Sequence, residues 1–380
     1  MDTETTAQKA PDIGPILSRA EEGPGRLSRE ELALLLAAEG EAERALLDAA
    51  YRVKTRTVGR KVALRGLVEM GNVCSKNCFY CGIRRGNASV ERYRLDEKDV
   101  VRMARWAWEK GYGSAVLQGG EIESEENTAR VERILRAIRE WGGNGFGVTL
   151  SLGEQEEEVY RRWKEAGAHR YLLRIETSNP ALYASLHPAD HSWTRREGCL
   201  RTLRKLGYQT GTGVMWGLPG QTVADLAGDI EFYRTRDIDM IGMGPWIPHP
   251  QTPLGAGREV TPEWAAGQVR LGLRMIAATR LQLHDVNIAA TTAMQALDPI
   301  GREKALMAGA NVMMPNVTDV AWRKAYRLYP GKPCLEETSD ACSSCLEMRV
   351  ESMGEQIAWG QRGDSPHARK RLALPRPSHS

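Results

Sequence analysis

The sequence predicts an α/β fold: a parallel (β/α)8 TIM barrel with an N-terminal helical extension and a C-terminal segment containing cysteines. Three observations predict it. Short apolar runs of strand length recur at intervals of about 25 to 45 residues, each followed by a helical pattern, the signature of parallel βαβ architecture. Eight such alternations fit into roughly 250 residues, the usual size of a closed barrel. Finally, Gln118, Glu121, Thr149, Ser151, Arg174, Glu176, Thr291, Thr292, Met314 and Asn316 fall at or just past predicted strand ends, the edge on which parallel folds build their sites. A doubly wound open sheet gives the same local alternation. Any one of these residues, Ser151 or Asn316 for instance, also reads as a cap of the next helix, but together they converge on one central pocket.

Taken in order, residues 1 to about 14 have loop composition and are expected to be disordered. Leu27-Ser28-Arg29-Glu30-Glu31-Leu32 reads as a capped helix start, with Ser28 as N-cap and Glu31 three residues on, and two short helices are predicted to fill residues 14–56. Strands are predicted at 62–70, 114–120, 147–153, 170–176, 210–216, 239–245, 286–292 and 310–315. Helices are predicted at 96–110, 124–141, 155–167, 194–206, 222–236, 262–282, 301–308 and around 319–327. The basic, proline-containing stretch from Pro366 to Ser380 is expected to be a mobile end. The division that follows is 1–60 for the tail and helical extension, 61–320 for the barrel and 321–380 for the C-terminal segment.

A chain of 380 residues with 42% apolar residues can bury a sizeable core. Its net charge of +3 is spread along the chain, which argues against a nucleic-acid or membrane-surface protein, where basic residues would cluster. The start, Met1-Asp2-Thr3-Glu4-Thr5-Thr6, is acidic and polar where a signal peptide is basic and then apolar. With no apolar run of about 18 residues either, the expected location is the cytoplasm.

Seven cysteines fall into two groups and an outlier, a usage that in a large intracellular chain points to metal rather than disulfides. In Cys74-Ser75-Lys76-Asn77-Cys78-Phe79-Tyr80-Cys81 the spacing lets three thiolates reach one metal centre from a single loop. A closed zinc site would need a fourth ligand from elsewhere, and no histidine lies in the adjacent loop. Three ligands on a four-iron cluster leave one iron open to a substrate or cofactor.

This run, with an aromatic just before its last cysteine, resembles the cluster loop of radical S-adenosylmethionine (SAM) enzymes. Gln118-Gly119-Gly120-Glu121, after the second predicted strand, is similar to the glycine-rich motif with which that superfamily holds the methionyl amine. Further segments resemble the HydE family of FeFe-hydrogenase H-cluster maturases over most of residues 60–350: Cys81-Gly82-Ile83-Arg84-Arg85, Val148-Thr149-Leu150-Ser151-Leu152-Gly153-Glu154, Arg170-Tyr171-Leu172-Leu173-Arg174, Gly217-Leu218-Pro219-Gly220-Gln221-Thr222, Ile247-Pro248-His249-Pro250, Ala290-Thr291-Thr292-Ala293-Met294 and Leu328-Tyr329-Pro330-Gly331-Lys332. Biotin synthase and methylornithine synthase share the cluster loop and barrel but not this set.

The resemblance implies that Cys74, Cys78 and Cys81 ligate a 4Fe-4S cluster and that Tyr80 packs near the adenine of SAM. It places Gln118, Gly119, Gly120, Glu121, Ser151, Glu176, Arg196 and Met240 against SAM. Thr149, Arg174, Thr291, Thr292, Met314, Tyr326 and Tyr329 would line the substrate cavity. Ile175 departs from the family, where a histidine stands between the Arg and the Glu. The implied activity is reductive cleavage of SAM to a 5'-deoxyadenosyl radical, acting on a cysteine-bound iron carbonyl cyanide unit. The implied partners are the maturases HydG and HydF and an electron donor such as a ferredoxin or flavodoxin. Another radical SAM enzyme of the biotin synthase group, working on a small amino-acid-like substrate, is the nearest alternative. An iron-sulfur carrier without turnover is a further one, against which the SAM motif argues.

Cys334, Cys342 and Cys345 offer three thiolates in a Gly/Pro/Ser-rich segment outside the repeating pattern. An accessory iron-sulfur cluster, 4Fe-4S or 2Fe-2S, zinc, or unoccupied thiols all fit. Cys199, beside Leu200 and Leu203 on a predicted helix, reads as a buried apolar residue. His249, between two prolines, reads equally as a rigid turn or a catalytic group, and His169, His187, His191 and His284 have no ligand spacing. The charges on 124–141 and 155–167 read as solvated faces with pairs three or four residues apart.

Overall fold

The computed structural model describes residues 12–373, except for the side chains of residues 341 and 342. Its strands are β1 (Lys61–Gly71), β2 (Ser114–Gly119), β3 (Gly147–Ser151), β4 (Arg170–Leu172), β5 (Gln209–Thr212), β6 (Met215–Trp216), β7 (Met240–Ile241), β8 (Gly244–Pro245), β9 (Asn287–Ile288), β10 (Val312–Met313) and β11 (Gln356–Ile357). Parallel pairing runs in the order β10-β1-β2-β3-β4-β5-β7-β9. The two ends of this series meet through a parallel bridge between Ala289 and Val312. Ala290 N–H donates to Val312 O at 2.8 Å and Asn311 N–H to Ile288 O at 2.9 Å, so the eight strands close into the predicted barrel. The runs predicted at 210–216 and 239–245 are each broken into a barrel strand and a rim pair, β6 with β8. At the break, the backbone of Gly213 presses so closely on Gly242 that a Cβ would lie 2.1 Å from its carbonyl oxygen.

The helices are α1 (Gly14–Glu22), α2 (Arg29–Leu36), α3 (Gly40–Thr57), α4 (Glu97–Glu109), α5 (Glu125–Gly142), α6 (Glu157–Ala166), α7 (Pro180–Leu186), α8 (Trp193–Lys205), α9 (Val223–Thr235), α10 (Pro262–Leu283), α11 (Thr292–Leu297), α12 (Gly301–Met307), α13 (Val320–Arg323), α14 (Ser339–Glu351) and α15 (Pro366–Ala373). Parallel strands covered by helices are buried on both faces and read as continuous apolar runs; β1 is buried along all but Lys61 and Leu67. The apolar stripe of α4 (Val100, Met103, Ala104, Ala107) closes over that core.

Three helices, not two, occupy the N-terminal extension. The predicted start at Ser28 is a full capping box: its hydroxyl accepts from Glu31 N at 3.2 Å and Glu31 Oε2 accepts from Ser28 N at 2.9 Å. The helix expected around 319–327 is a single turn, α13, because the buried Arg323 guanidinium folds back onto Thr318 O at 2.6 Å. Beyond the extension, four helices were not anticipated: α7, α11, α14 and α15. For α7 a signal exists, since Asn179 caps Ala181 N and Leu182 N and is followed by Pro180 at the first helical position. Most of the segment expected to be disordered at the N-terminus lies outside the described residues.

The expected mobile end is corrected over residues 366–373, which form α15. The chain reaches it by folding back beneath the barrel. β11 pairs with β1, and residues 362–364 then cross the floor. Gly363 O accepts from Arg65 Nη2 of β1 at 3.3 Å and from Asn287 Nδ2 of β9 at 2.9 Å, while Asp364 pairs with Arg170 of β4 at 2.6 Å and Gln209 of β5 at 2.7 Å. Beyond this strap, Lys370 binds Asp285 at 2.7 Å and Arg371 binds Asp239 at 2.5 Å, and His367 bridges Asp237 and Asp285.

Acid is expected to loosen the strap. Burial acts to raise Asp285, but hydrogen bonds from His367 and Lys370 outweigh it and hold the carboxyl down to about 2, and Asp364 is held low in the same way against its burial by His169 and Arg170. A depressed carboxylate stabilises above its unfolded value of about 3.9 and loses that contribution as pH falls through the folded one. Asp239, which burial raises to about 6, is already protonated before that window opens. Hydrogen exchange on metal-free protein should show the amides of 361–371 losing protection between about pH 5 and 2.5 relative to the barrel strands. Equal protection across that range would show that these pairs carry no load.

Candidate active site at the barrel mouth

At the C-terminal end of β1 the chain leaves the barrel and enters the cysteine loop, which the surrounding elements fasten. Ser75 N–H donates to Glu121 O at 2.8 Å, Phe79 N–H to Leu186 O at 2.9 Å and Gly82 N–H to Leu328 O at 3.0 Å, while Phe79 O accepts from Leu254 N–H at 3.0 Å. Asn77 N–H donates to His191 Nε2 at 3.1 Å. Gly120 exists for this contact: a Cβ there would stand 2.1 Å from Val73 O and 2.8 Å from the Cys74 Cβ. The glycines predicted to admit SAM therefore also admit the loop itself.

Cys74, Cys78 and Cys81 are half-buried on this loop, and the Glu121 N–H points at Cys74 Sγ from 3.4 Å. Burial raises all three thiols, Cys78 to about 12, and Cys78 and Cys81 are raised further by the thiols beside them. Such thiols ionise only when a bound cationic group stabilises the thiolates. Among the described residues, no group of three His, Cys, Asp or Glu is gathered tightly enough for a single metal ion. Three thiols on one short loop are themselves a donor set that suits a thiolate-bound cluster.

Behind the loop lies a buried charge network. Lys76 Nζ is 3.0 Å from Glu121 Oε1 and 3.3 Å from Glu154 Oε2, Arg196 Nε is 2.6 Å from Glu154 Oε1, and Glu154 N–H donates to Glu121 Oε2 at 2.8 Å. Burial acts to raise both carboxyls. For Glu154 the Arg196 and Lys76 cations win and hold it below its usual range, whereas Glu121 stays raised. Gly153, at φ +79, lets the chain turn there, where a Cβ would meet Glu121 Oε2. Arg196 also donates to Arg174 O at 3.1 Å, which carries the network to β4's end.

There Arg174 binds Glu176 Oε2 at 3.1 Å and Val214 O at 3.0 Å. Glu176 sits at φ +66, a conformation a glutamate holds only when its surroundings enforce it. Its neighbours do so, since Glu176 N–H donates to Gly213 O at 3.0 Å and its own carbonyl accepts from Met215 N–H at 3.0 Å. Ile175, between them, is fully buried in the apolar core.

Gln118 Nε2 donates to Tyr326 Oη at 3.2 Å, and Thr292 Oγ1 shares a 2.8 Å hydrogen bond with Tyr329 Oη. Ser151, at the end of β3, pairs in register with Gln118. The Thr149 and Thr291 hydroxyls are buried without a hydrogen-bond partner, as expected of groups that face a ligand. Met240 and Met314 lie deeper. With Arg65, Thr149 and Asn287 they line a cavity of about 20 Å³ just above the strap, and Arg65 Nη1 reaches Met240 Sδ at 3.1 Å. The structure does not bring Met240 to the cysteine loop. A depression of about 720 Å³ between α4 and α5 lies outside the barrel and touches none of these residues.

Sequence reasoning passed over two histidines. His187 Nε2 lies 3.3 Å from Tyr80 Oη and its ring stacks on Tyr183 at 3.9 Å, while His191 holds Asn77. They follow the unpredicted α7, so their spacing carried no signal. His249 packs its ring against Gly82, where a Cβ would come within 2.8 Å, its Nδ1 accepts from Gln251 N–H at 3.1 Å, and its carbonyl accepts from Thr252 N–H at 3.0 Å, which forms the expected turn beside the cysteine loop. His169 and His284 lie apart from the mouth, on Asp364 and on Ala20 O. Cys199 is buried with its thiol 3.8 Å from Gln155 O.

In the second group Cys334 is half-buried at φ +60, Cys345 is exposed, and the Cys342 side chain lies outside the described residues. Arg323 ties this segment to the barrel, donating to Cys334 O at 2.9 Å and Glu337 O at 2.7 Å as well as to Thr318 O.

Residues 68–233 match the family described as the radical SAM superfamily. The chain is 46% identical over 320 residues to the [FeFe] hydrogenase maturase subunit HydE of Thermotoga maritima, a match covering 84% of this chain and 88% of that protein. Among solved structures, it superposes on methylornithine synthase (PylB) with a TM-score of 0.76 at 23% identity, over 94% of this chain and 100% of that one. It superposes on the FeFe-hydrogenase maturase HydG from Carboxydothermus hydrogenoformans with a TM-score of 0.75 at 19% identity, over 95% and 81% of the two chains. These two likenesses concern the fold.

Proposed function

From a chain that belongs to the radical SAM superfamily and, within it, to the HydE family of [FeFe]-hydrogenase maturases, we propose a maturase that acts on a cysteine-bound iron carbonyl cyanide unit supplied by HydG and passed towards HydF. The observation that carries this reading is the cysteine loop, sewn to the Gly119–Glu121 strand end directly over the enclosed barrel. Cys74, Cys78 and Cys81 would hold a 4Fe-4S cluster, which when bound would supply one-electron cleavage of a carbon–sulfur bond in SAM.

The chain's own residues hold, orient and exclude. Glu121 and Lys76 fix the loop, Glu154 and Arg196 brace both against β4's end, and Tyr80 is turned by His187 to offer its ring to the adenine. Gln118, Ser151 and Glu176 stand on the strand ends where SAM would lie. Below them Arg174, held in place by Glu176, supplies guanidinium donors, and the unpartnered Thr149 and Thr291 hydroxyls and the Tyr326 and Tyr329 phenols supply hydrogen bonds to a small polar anion. A closed barrel keeps water from the reacting atoms and holds the target in place. We further propose an accessory iron-sulfur cluster at Cys334, Cys342 and Cys345, and a cytoplasmic setting. Among the described residues, no helix is long and apolar enough to cross a membrane.

The test is anaerobic reconstitution with dithionite and SAM, with and without the HydG product, beside complementation of a strain lacking HydE. The expected result is 5'-deoxyadenosine or an adenosylated product, and restored hydrogenase. SAM cleavage without restored maturation would move the protein to another substrate of the biotin synthase group.

A further inference from the structure

Glu69, near the end of β1, and Lys332 form a buried ion pair to which the functional reading gives no task. Their side chains are 2% and 8% exposed, and Asn316 Nδ2 donates to the second carboxylate oxygen of Glu69 at 3.0 Å. Asn316, expected among the residues that converge on the pocket, is thus engaged by this carboxylate, and its own oxygen accepts from Thr318 N–H at 2.9 Å. Apolar residues of similar volume often replace a buried ion pair at no loss of stability, so stability alone does not account for it; the better-attested use of such a pair is to fix which segment lies against which.

The segment fixed here carries two phenols of the cavity. Lys332 Nζ donates to Tyr326 O at 2.9 Å and stands 5.2 Å from the centroid of the Tyr326 ring. Asn72 Nδ2 donates to the preceding carbonyl, Ala325 O, at 2.6 Å. Pro330-Gly331, with Gly331 at φ +69, is the residue order of a type II turn and reverses the chain between Tyr329 and Lys332. On the other side of the pair, Glu69 is the register partner of Gln118 on β2, the residue that donates to Tyr326 Oη. Since Tyr326 Oη accepts that N–H, its own proton is left to donate to a ligand.

We propose that Lys332, anchored on Glu69, is a positioning residue for Tyr326 and Tyr329, fixing the direction in which the two phenols meet the second substrate. This rests on the functional reading above for the identity of that substrate. Lys332 touches no reacting atom; it acts through the Tyr326 carbonyl and through the turn that follows Tyr329. Misplacing a substrate-holding group by about 1 Å can cost about 10²-fold, so the effect should fall on the second substrate and spare SAM.

The experiment compares the full chain with Lys332→Met and with the neutral double variant Glu69→Gln/Lys332→Met. In metal-free Lys332→Met, the amides of 326–332 should lose protection from hydrogen exchange by about tenfold or more, while those of β2 to β5 keep theirs. In cluster-loaded protein, with the unit made by HydG as second substrate, KM for that unit should rise about tenfold or more in Lys332→Met. KM for SAM, and SAM cleavage in the absence of the unit, should stay within about twofold of the parent. The double variant strands no charge, so its thermal midpoint should lie closer to the parent's than that of Lys332→Met, yet its KM for the unit should stay raised. If Lys332→Met does not fold, the double variant is set against the parent on the same readouts. The parent's KM in the double variant overturns the proposal, because the pair would then serve stability alone. Unchanged protection of 326–332, or an equal loss towards SAM and the unit, overturns it too. If the parent protein cleaves SAM but does not turn over the unit, it is the functional reading that fails, while the exchange pattern still decides whether Lys332 fixes the segment.

Discussion

Cys74→Ala is expected to abolish SAM cleavage, with 5'-deoxyadenosine falling by about 10³-fold or more, which corresponds to at least about 4 kcal/mol of barrier. The loop offers three thiols, and the cluster reading uses all three as ligands. Removing Cys74 also leaves the Glu121 N–H, 3.4 Å from that sulfur, without its acceptor. Iron content and the electron paramagnetic resonance of the reduced cluster should fall together with turnover. Cys199→Ala is the matched control. That thiol lies 3.8 Å from a carbonyl on the α8 side of the barrel wall, and its loss removes one small buried group at a cost of about 1 kcal/mol or less. If the Cys74 variant still cleaves SAM, the assignment of the loop is wrong.

The second large effect is expected at Arg196. In Arg196→Met the Glu154 carboxylate, 1% exposed, loses its shortest partner and keeps only the longer contacts to Lys76 at 3.3 Å and Arg195 at 3.7 Å. Breaking a buried pair from one side costs about 3–5 kcal/mol, because the charge that remains is uncompensated. Tyr183, with the guanidinium 5.9 Å from its ring centroid, and Arg174 O, 3.1 Å from it, lose contacts as well. With Arg196 gone, burial would raise Glu154 rather than be outweighed. A raised carboxyl destabilises the fold once pH climbs past its unfolded value, so the deficit should be larger near pH 7.5 than near pH 4.5. Thermal unfolding of metal-free protein reads this directly. Glu154→Gln added to Arg196→Met should recover part of the loss, because it removes the stranded charge. A double variant no better than the single one would show that packing, not charge, sets the cost.

The barrel was legible because its strands are local facts: an apolar run such as 62–70, followed by an amphipathic helix, needs no knowledge of the rest of the chain. The cysteine loop was legible for the same reason, as eight consecutive residues. What escaped depends on contacts between distant residues. Lys76 meets Glu154 across 78 positions and Arg170 meets Asp364 across 194, and no spacing rule announces either. The stretch from Pro366 looked like a mobile tail because its basic residues have no partners nearby in sequence; their carboxylates, Asp237, Asp239 and Asp285, stand at strand starts more than 80 residues earlier. Met240 was placed at the mouth by resemblance, yet β7 is two residues long and starts it near the floor.

The strap has a kinetic consequence. Residues 362–364 bridge β1, β4, β5 and β9 and stopper one end of the barrel, leaving a vessel with a single neck. The neck is also where SAM would sit. On the proposed reading, whatever lies beneath would come in before that seat is filled and go out after it is vacated, so the two small molecules would queue through one opening. Steady-state kinetics should then follow a compulsory order, with excess SAM acting as a dead-end plug against the second substrate. Cutting the chain before Gln361 would open a rear exit and convert the order to a random one.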